Sequence, residues 1–109
     1  MTLKIMDIDG FRTELETRLI IEKEYLIQEL SSMDDYQERL ELLGTFNEKY
    51  KELIKRLANE NGIDLNAPYQ AQNPSNEKNY TYEQIILGKT MSIYDKLVDE
   101  LYEEITNIN

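Results

Sequence analysis

The stretch NGIDLNAPYQAQNPSNEKNYTYEQ, Asn61–Gln84, decides how this chain folds. It holds both prolines of the sequence, Pro68 and Pro74, and no Val, Leu, Ile or Met after Leu65. The residue before a proline is pushed out of the helical region, so no helix runs through this segment. The periodic sequence on either side therefore belongs to separate helices. Gly62 suits the left-handed position that closes a helix, with Ile63 or Leu65 supplying the apolar contact that accompanies it. At the other end, Thr81-Tyr82-Glu83-Gln84 matches the S/T-x-x-E/Q capping box that starts one. The connection, residues 62–80, far exceeds the roughly 2–8 residues usual between bundle helices. Tyr69, Tyr80 and Tyr82 supply amphipathic anchors, and six asparagines from Asn59 to Asn79 offer local turns. This composition predicts a partly ordered strap lying on the bundle, with partner binding through Tyr69 and Tyr80 as its functional reading. Its length permits the helices it joins to run either parallel or antiparallel.

Upstream, residues 33–61 place Tyr36, Leu40, Leu43, Phe46, Tyr50, Leu53, Ile54, Leu57 and Ala58 on one wide face at 100° per residue. Positions 36, 43, 50 and 57 recur every seven residues, a short seam of coiled-coil type. Downstream, residues 81–106 carry Ile86, Leu87, Thr90, Met91, Ile93, Tyr94, Leu97, Val98, Leu101 and Ile105 on a similar face, which Ile108 extends. A further helix is predicted over residues 10–31, with Asp9 as N-cap and Phe11, Leu15, Leu19, Leu26 and Leu30 inward. Ile20 and Ile27 fall nearly opposite and form a second stripe, a candidate for self-association. Ser31-Ser32 breaks this helix, and Ser32 with Asp35 makes an S-x-x-D start for the next. Residues 1–9 are predicted to form an N-terminal arm packed on the bundle.

The expectation is an all-α, single-domain three-helix bundle: a helical hairpin, a long loop and a third long helix. The wide apolar faces also fit a homodimer. At 109 residues the chain matches one core.

The charge balance narrows function. With 22 acidic against 12 basic residues the formal charge is −10. Such a surface repels nucleic acid and anionic lipid and attracts basic partners. There is no cysteine and no histidine. This removes thiolate chemistry, the commonest general base and the commonest transition-metal ligand. No apolar run approaches the roughly 18 residues that span a bilayer. The opening MTLKIMDIDG lacks the pattern of a signal peptide. A cytoplasmic protein is expected.

Three groups of residues are candidates for chemistry or binding. Glu22 falls among Leu15, Leu19 and Leu26, where a buried carboxylate would be perturbed. Arg18, one turn earlier, or Asn47, which interrupts the second helix's face, is its expected partner. In the third helix Asp95, Asp99 and Glu103 recur every four residues on one outer face, with Glu100 beside them. Like charges at this spacing cost a few tenths of a kcal/mol each, and acids near a helix C-terminus oppose its dipole. The row thus suits docking on a basic surface better than it suits stability. The third group is metal ligands. The helical nucleotide pyrophosphohydrolases hold metal on paired E-E-x-x-E and E-x-x-D patterns, and neither occurs here. Asp7-Ile8-Asp9-Gly10 starts like a calcium loop, but the closing glutamate position holds Arg18. No metal or cofactor is expected. Lys49, Lys51, Lys55 and Arg56 are interleaved with Glu48 and Glu52 and balance the acidic third helix.

The function expected is that of a small, non-enzymatic regulator that masks a basic surface of a partner protein. In size and charge the chain resembles phage-type anti-defence inhibitors and immunity proteins. The alternative is a structural or assembly subunit that self-associates. A metal-dependent helical nucleotide pyrophosphohydrolase is the minor alternative.

Overall fold

A computed structural model describes residues 7–69 and 80–107. Three helices account for most of these residues: α1 (Ile8–Leu30), α2 (Tyr36–Glu60) and α3 (Tyr82–Thr106). The expected arm falls largely outside the described residues. Ile8 and Asp9 already belong to α1.

Each helix starts on a side-chain cap. Asp7, not Asp9, opens α1 by accepting from the Gly10 N–H at 2.7 Å. Asp35 opens α2 by accepting from the Gln37 N–H at 3.0 Å, so this helix begins three residues later than its apolar pattern implied. Thr81 opens α3 in a complete capping box: the Gln84 N–H donates to Thr81 Oγ1 at 3.2 Å, and the Thr81 N–H donates to Gln84 Oε1 at 2.9 Å. Gly62 closes α2 at φ +66. The Ile63 N–H reaches the Ala58 carbonyl at 2.8 Å, the Gly62 N–H reaches the Asn59 carbonyl at 3.3 Å, and Ile63 packs on the core. This is the Schellman arrangement with its apolar contact.

Contacts between helices fix their directions. Arg12 Nε donates to the Lys89 carbonyl at 3.1 Å and Lys23 Nζ to Glu100 at 2.6 Å, both pairs 77 residues apart, so α1 and α3 run parallel. The short connection 31–35 turns the chain back, and Arg18 in the middle of α1 reaches Glu60 at the end of α2, so these two are antiparallel. Asn47 meets Tyr94 and Tyr50 meets Thr90, which makes α2 and α3 antiparallel. The result is an up-down-up bundle.

The core runs along the axis through Phe11, Leu15 and Leu19, Phe46 and Leu57, and Ile86, Leu101 and Ile105, all essentially excluded from solvent. Leu42, absent from the predicted face, is buried, whereas Tyr36 and Met91, both predicted inward, are exposed. Between α2 and α3 the rings of Phe46, Tyr94 and Tyr50 form a continuous stack, with centroids 5.5 and 4.3 Å apart. Tyr50 Oη and Thr90 Oγ1 share a hydrogen bond of 2.7 Å, and Thr90 also donates to the Ile86 carbonyl at 2.8 Å. This polar pair is buried but satisfied, as a polar group inside a core must be. Burial pushes the Tyr50 phenol above its ordinary value, and the nearby Asp95 adds to the rise.

The 62–80 connection folds back on itself at its ends. Pro68 and Thr81 form an antiparallel bridge, with the Tyr69 N–H on the Tyr80 carbonyl at 2.8 Å and the Tyr82 N–H on the Ala67 carbonyl at 3.0 Å. The Glu83 N–H adds a bond to the Leu65 carbonyl at 3.0 Å. These bonds close the connection where it leaves and re-enters the bundle. Residues 70–79, the body of the expected strap, lie outside the described residues.

Candidate functional site

The acidic row of α3 divides into two kinds of carboxylate. Asp95, Asp99 and Glu103 are exposed, and none has a cation within ion-pair distance among the described residues. Glu100 is different. It turns toward α1 and takes Lys23 Nζ at 2.6 Å, and the Lys23 side chain is only 12% exposed. The hydrogen bond from Lys23 holds the Glu100 carboxyl below its ordinary range against partial desolvation. The expectation that Glu100 shares the outward row is therefore corrected: it is an internal tie between α1 and α3. The cause is helical phase, since a residue one step from Asp99 is rotated 100° around the axis.

Glu22 sits half-buried at the edge of the α1 face, and neither expected partner reaches it. Arg18 donates through Nε to Glu14 at 3.1 Å and through both terminal nitrogens to Glu60, at 3.1 and 2.7 Å. The fork of two parallel bonds to Glu60 is the geometry that suits guanidinium and carboxylate. It raises the Arg18 pKa and lowers that of Glu60. Asn47 Nδ2 donates instead to Tyr94 Oη at 2.9 Å. The expected buried polar trio of Glu22, Arg18 and Asn47 therefore does not assemble: Arg18 is taken by Glu14 and Glu60, and Asn47 by Tyr94.

Tyr69 and Tyr80 face each other through their backbones at the mouth of the connection. The Tyr69 ring is half-buried and stands edge-on to Tyr82, centroids 5.2 Å apart at 90°. Tyr80 is exposed and, with Gln84, Ile85, Gly88 and Lys89, borders a shallow depression of about 270 Å³. The structure also separates Ile20 from Ile27: Ile20 is exposed, and Ile27 is half-buried against the core. The exposed apolar residues of α1 are Ile20, Ile21 and Tyr25.

Two features escaped the sequence pattern. Lys23 looked like a surface lysine, and only the parallel packing of α1 on α3 places it over Glu100. Met91 and Tyr102 stand exposed on α3 beside Asp95, giving the carboxylates an apolar border. Tyr36 of α2 lies opposite Tyr102, and its phenol is raised first by desolvation and then by that neighbour. The helical pattern placed Met91 on the inward face, and the structure leaves it half exposed.

Among the described residues no group of three or more acidic side chains is arranged to hold a metal ion, and no helix is long and apolar enough to cross a membrane. Comparison with protein-family models, with curated proteins and with solved structures returns no match. The surface chemistry is accordingly the basis for any functional reading.

Proposed function

We propose that the chain is a non-enzymatic binding protein that masks a basic surface of a partner protein through the outer face of α3. One observation carries this reading. Asp95, Asp99 and Glu103 stand one turn apart, exposed and without a cation among the described residues. On the same helix Glu100 is engaged by Lys23, and on α2 Glu60 is engaged by Arg18 and Glu52 by Arg56. An unpaired row of like charge is mildly destabilising in a lone helix. A row of opposite charge on a partner relieves that repulsion and speeds encounter. Exposed Met91 and Tyr102 beside the row supply the apolar contact that holds such a complex once formed.

The test is affinity capture from the native host's lysate with the tagged wild type and with Asp95→Lys/Asp99→Lys/Glu103→Lys. The expected outcome is one basic protein retained by the wild type, released at raised salt and not retained by the triple variant. Retention of the same protein by both forms overturns the reading. The substitutions lie on an exposed face, so circular dichroism of the variant should match the wild type.

A further inference from the structure

We propose that the face between α2 and α3 is a self-association surface, covered in solution by a second copy of this chain. The proposal competes with the masking reading for Asp95, Asp99, Met91 and Tyr102, so a second copy and a basic partner exclude one another there; sedimentation reads self-association alone, and its failure leaves the capture experiment untouched. Asp95 lies where the two surfaces adjoin, and Asp99 and Glu103 lie progressively further round the helix.

The face is defined by helical phase from the Asn47–Tyr94 contact. Leu40, Leu43 and Lys51 share a side of α2 with Asn47, and Leu87, Met91 and Val98 share a side of α3 with Tyr94. Leu40, Leu43, Leu87 and Val98 are only partly buried against the core. Tyr36, Met91 and Tyr102 are 38%, 50% and 47% exposed. The apolar faces of α2 and α3 therefore continue past the core edge onto this surface.

Size separates this face from the other apolar patch. Two adjacent helices of 25 residues present a surface of about 37 Å by about 20 Å, on the order of 700 Å² per copy. A standard stable interface takes about 800 Å² per partner. The outer side of α1, with Ile20, Ile21 and Tyr25, is one helix wide and offers about half that area.

Charge selects the occupant. A chain of net charge −10 repels its own copies almost everywhere. Here the α2 wall carries Lys51, itself 3.8 Å from Glu48, and Lys55, and the α3 wall carries Asp95 and Asp99, so the face carries both signs of charge rather than acid alone. A two-fold axis along the groove lays the basic wall of one copy over the acidic wall of the other, twice.

Gly44 supplies an independent sign. It lies inside α2 near the middle of this face, and a Cβ there would meet nothing within 4 Å. Nothing among the described residues therefore requires a glycine at this helix-interior position, where it lowers stability. The missing side chain allows a helix of the second copy to cross closely.

The experiment is sedimentation equilibrium of the full chain from low micromolar to several hundred micromolar, with circular dichroism confirming the fold of every variant. The expected result is twice the chain mass at the upper end. Gly44→Phe, which has room in the monomer, should weaken dimerisation at least tenfold. Lys51→Glu and Asp95→Lys should each weaken it several-fold, and the double charge swap should restore it. Monomer at all concentrations overturns the proposal. So does a dimer indifferent to Gly44→Phe and to the swaps, especially one abolished by Ile21→Glu/Tyr25→Glu.

Discussion

At the scale of single residues, two ion pairs join the helices, and both join α1 to a neighbour. Glu100 is 41% exposed while Lys23 is nearly covered, so the lysine depends on the carboxylate more than the reverse. Glu100→Gln should cost about 1 kcal/mol at neutral pH, a figure kept small because solvent screens the glutamate. The pH dependence has a definite sign. The Glu100 carboxyl is lowered from 4.5 in the folded state, so its stabilisation is present above that value and fades as pH falls through the folded value. The stability gap between wild type and Glu100→Gln, read from urea midpoints, should therefore close on acidification below about pH 4.5. A gap that stays constant down to pH 3 would falsify the assigned pairing. The sequence flagged Arg18 and Asn47 as partners for Glu22; both are half-buried, and neither meets it. Their partners were illegible, because Glu60 and Tyr94 are brought to them by inter-helix register, and no local pattern encodes that register.

At the scale of elements, helix existence was fully readable and helix starts were less so. Periodicity found all three helices, and Gly62 and the Thr81 box marked an end and a start because their chemistry is directional. The start of α1 was misplaced because Asp7 and Asp9 are equally good caps two residues apart. The start of α2 was misplaced because Ser32 and Asp35 mimic a capping box, whereas Asp35 is itself the cap. Two substitutions should move stability in opposite directions. Thr81→Ala removes both the hydroxyl acceptor and one half of the capping box, and should cost about 1 kcal/mol. Gly44→Ala, at an open helical position without positive φ, should add up to about 1 kcal/mol. Thermal unfolding at low concentration, where the monomer dominates, measures both. Equal melting temperatures for all three proteins would sink the account of the caps and of Gly44.

At the scale of the whole molecule, the three-helix bundle followed from the sequence because each helix has a face wide enough to touch two others. Direction did not follow, since a long connection serves parallel and antiparallel packing alike. The α2–α3 contacts settle it, and the aromatic stack of Phe46, Tyr94 and Tyr50 is the densest of them. Phe46→Ala should cost about 3–5 kcal/mol. That is a large share of the roughly 5–15 kcal/mol that stabilises a domain of this size. The urea midpoint should fall steeply, and a variant within 1 kcal/mol of wild type would show that the stack is not central. The acidic row was the part of the candidate site most legible in advance, because a four-residue period identifies a face without any knowledge of packing. The uncovered border of Met91 and Tyr102 was not, because exposure depends on how far α2 and α3 sit apart. One further consequence lies in the bridge between Pro68 and Thr81. Because Tyr69 and Tyr80 are joined across it, the helices are anchored before the intervening segment begins. The bridge thus works as a clasp: the exit from α2 and the entry to α3 are fastened to each other by backbone bonds, so the two helices are tied at this end of the bundle by the chain on either side of residues 70–79.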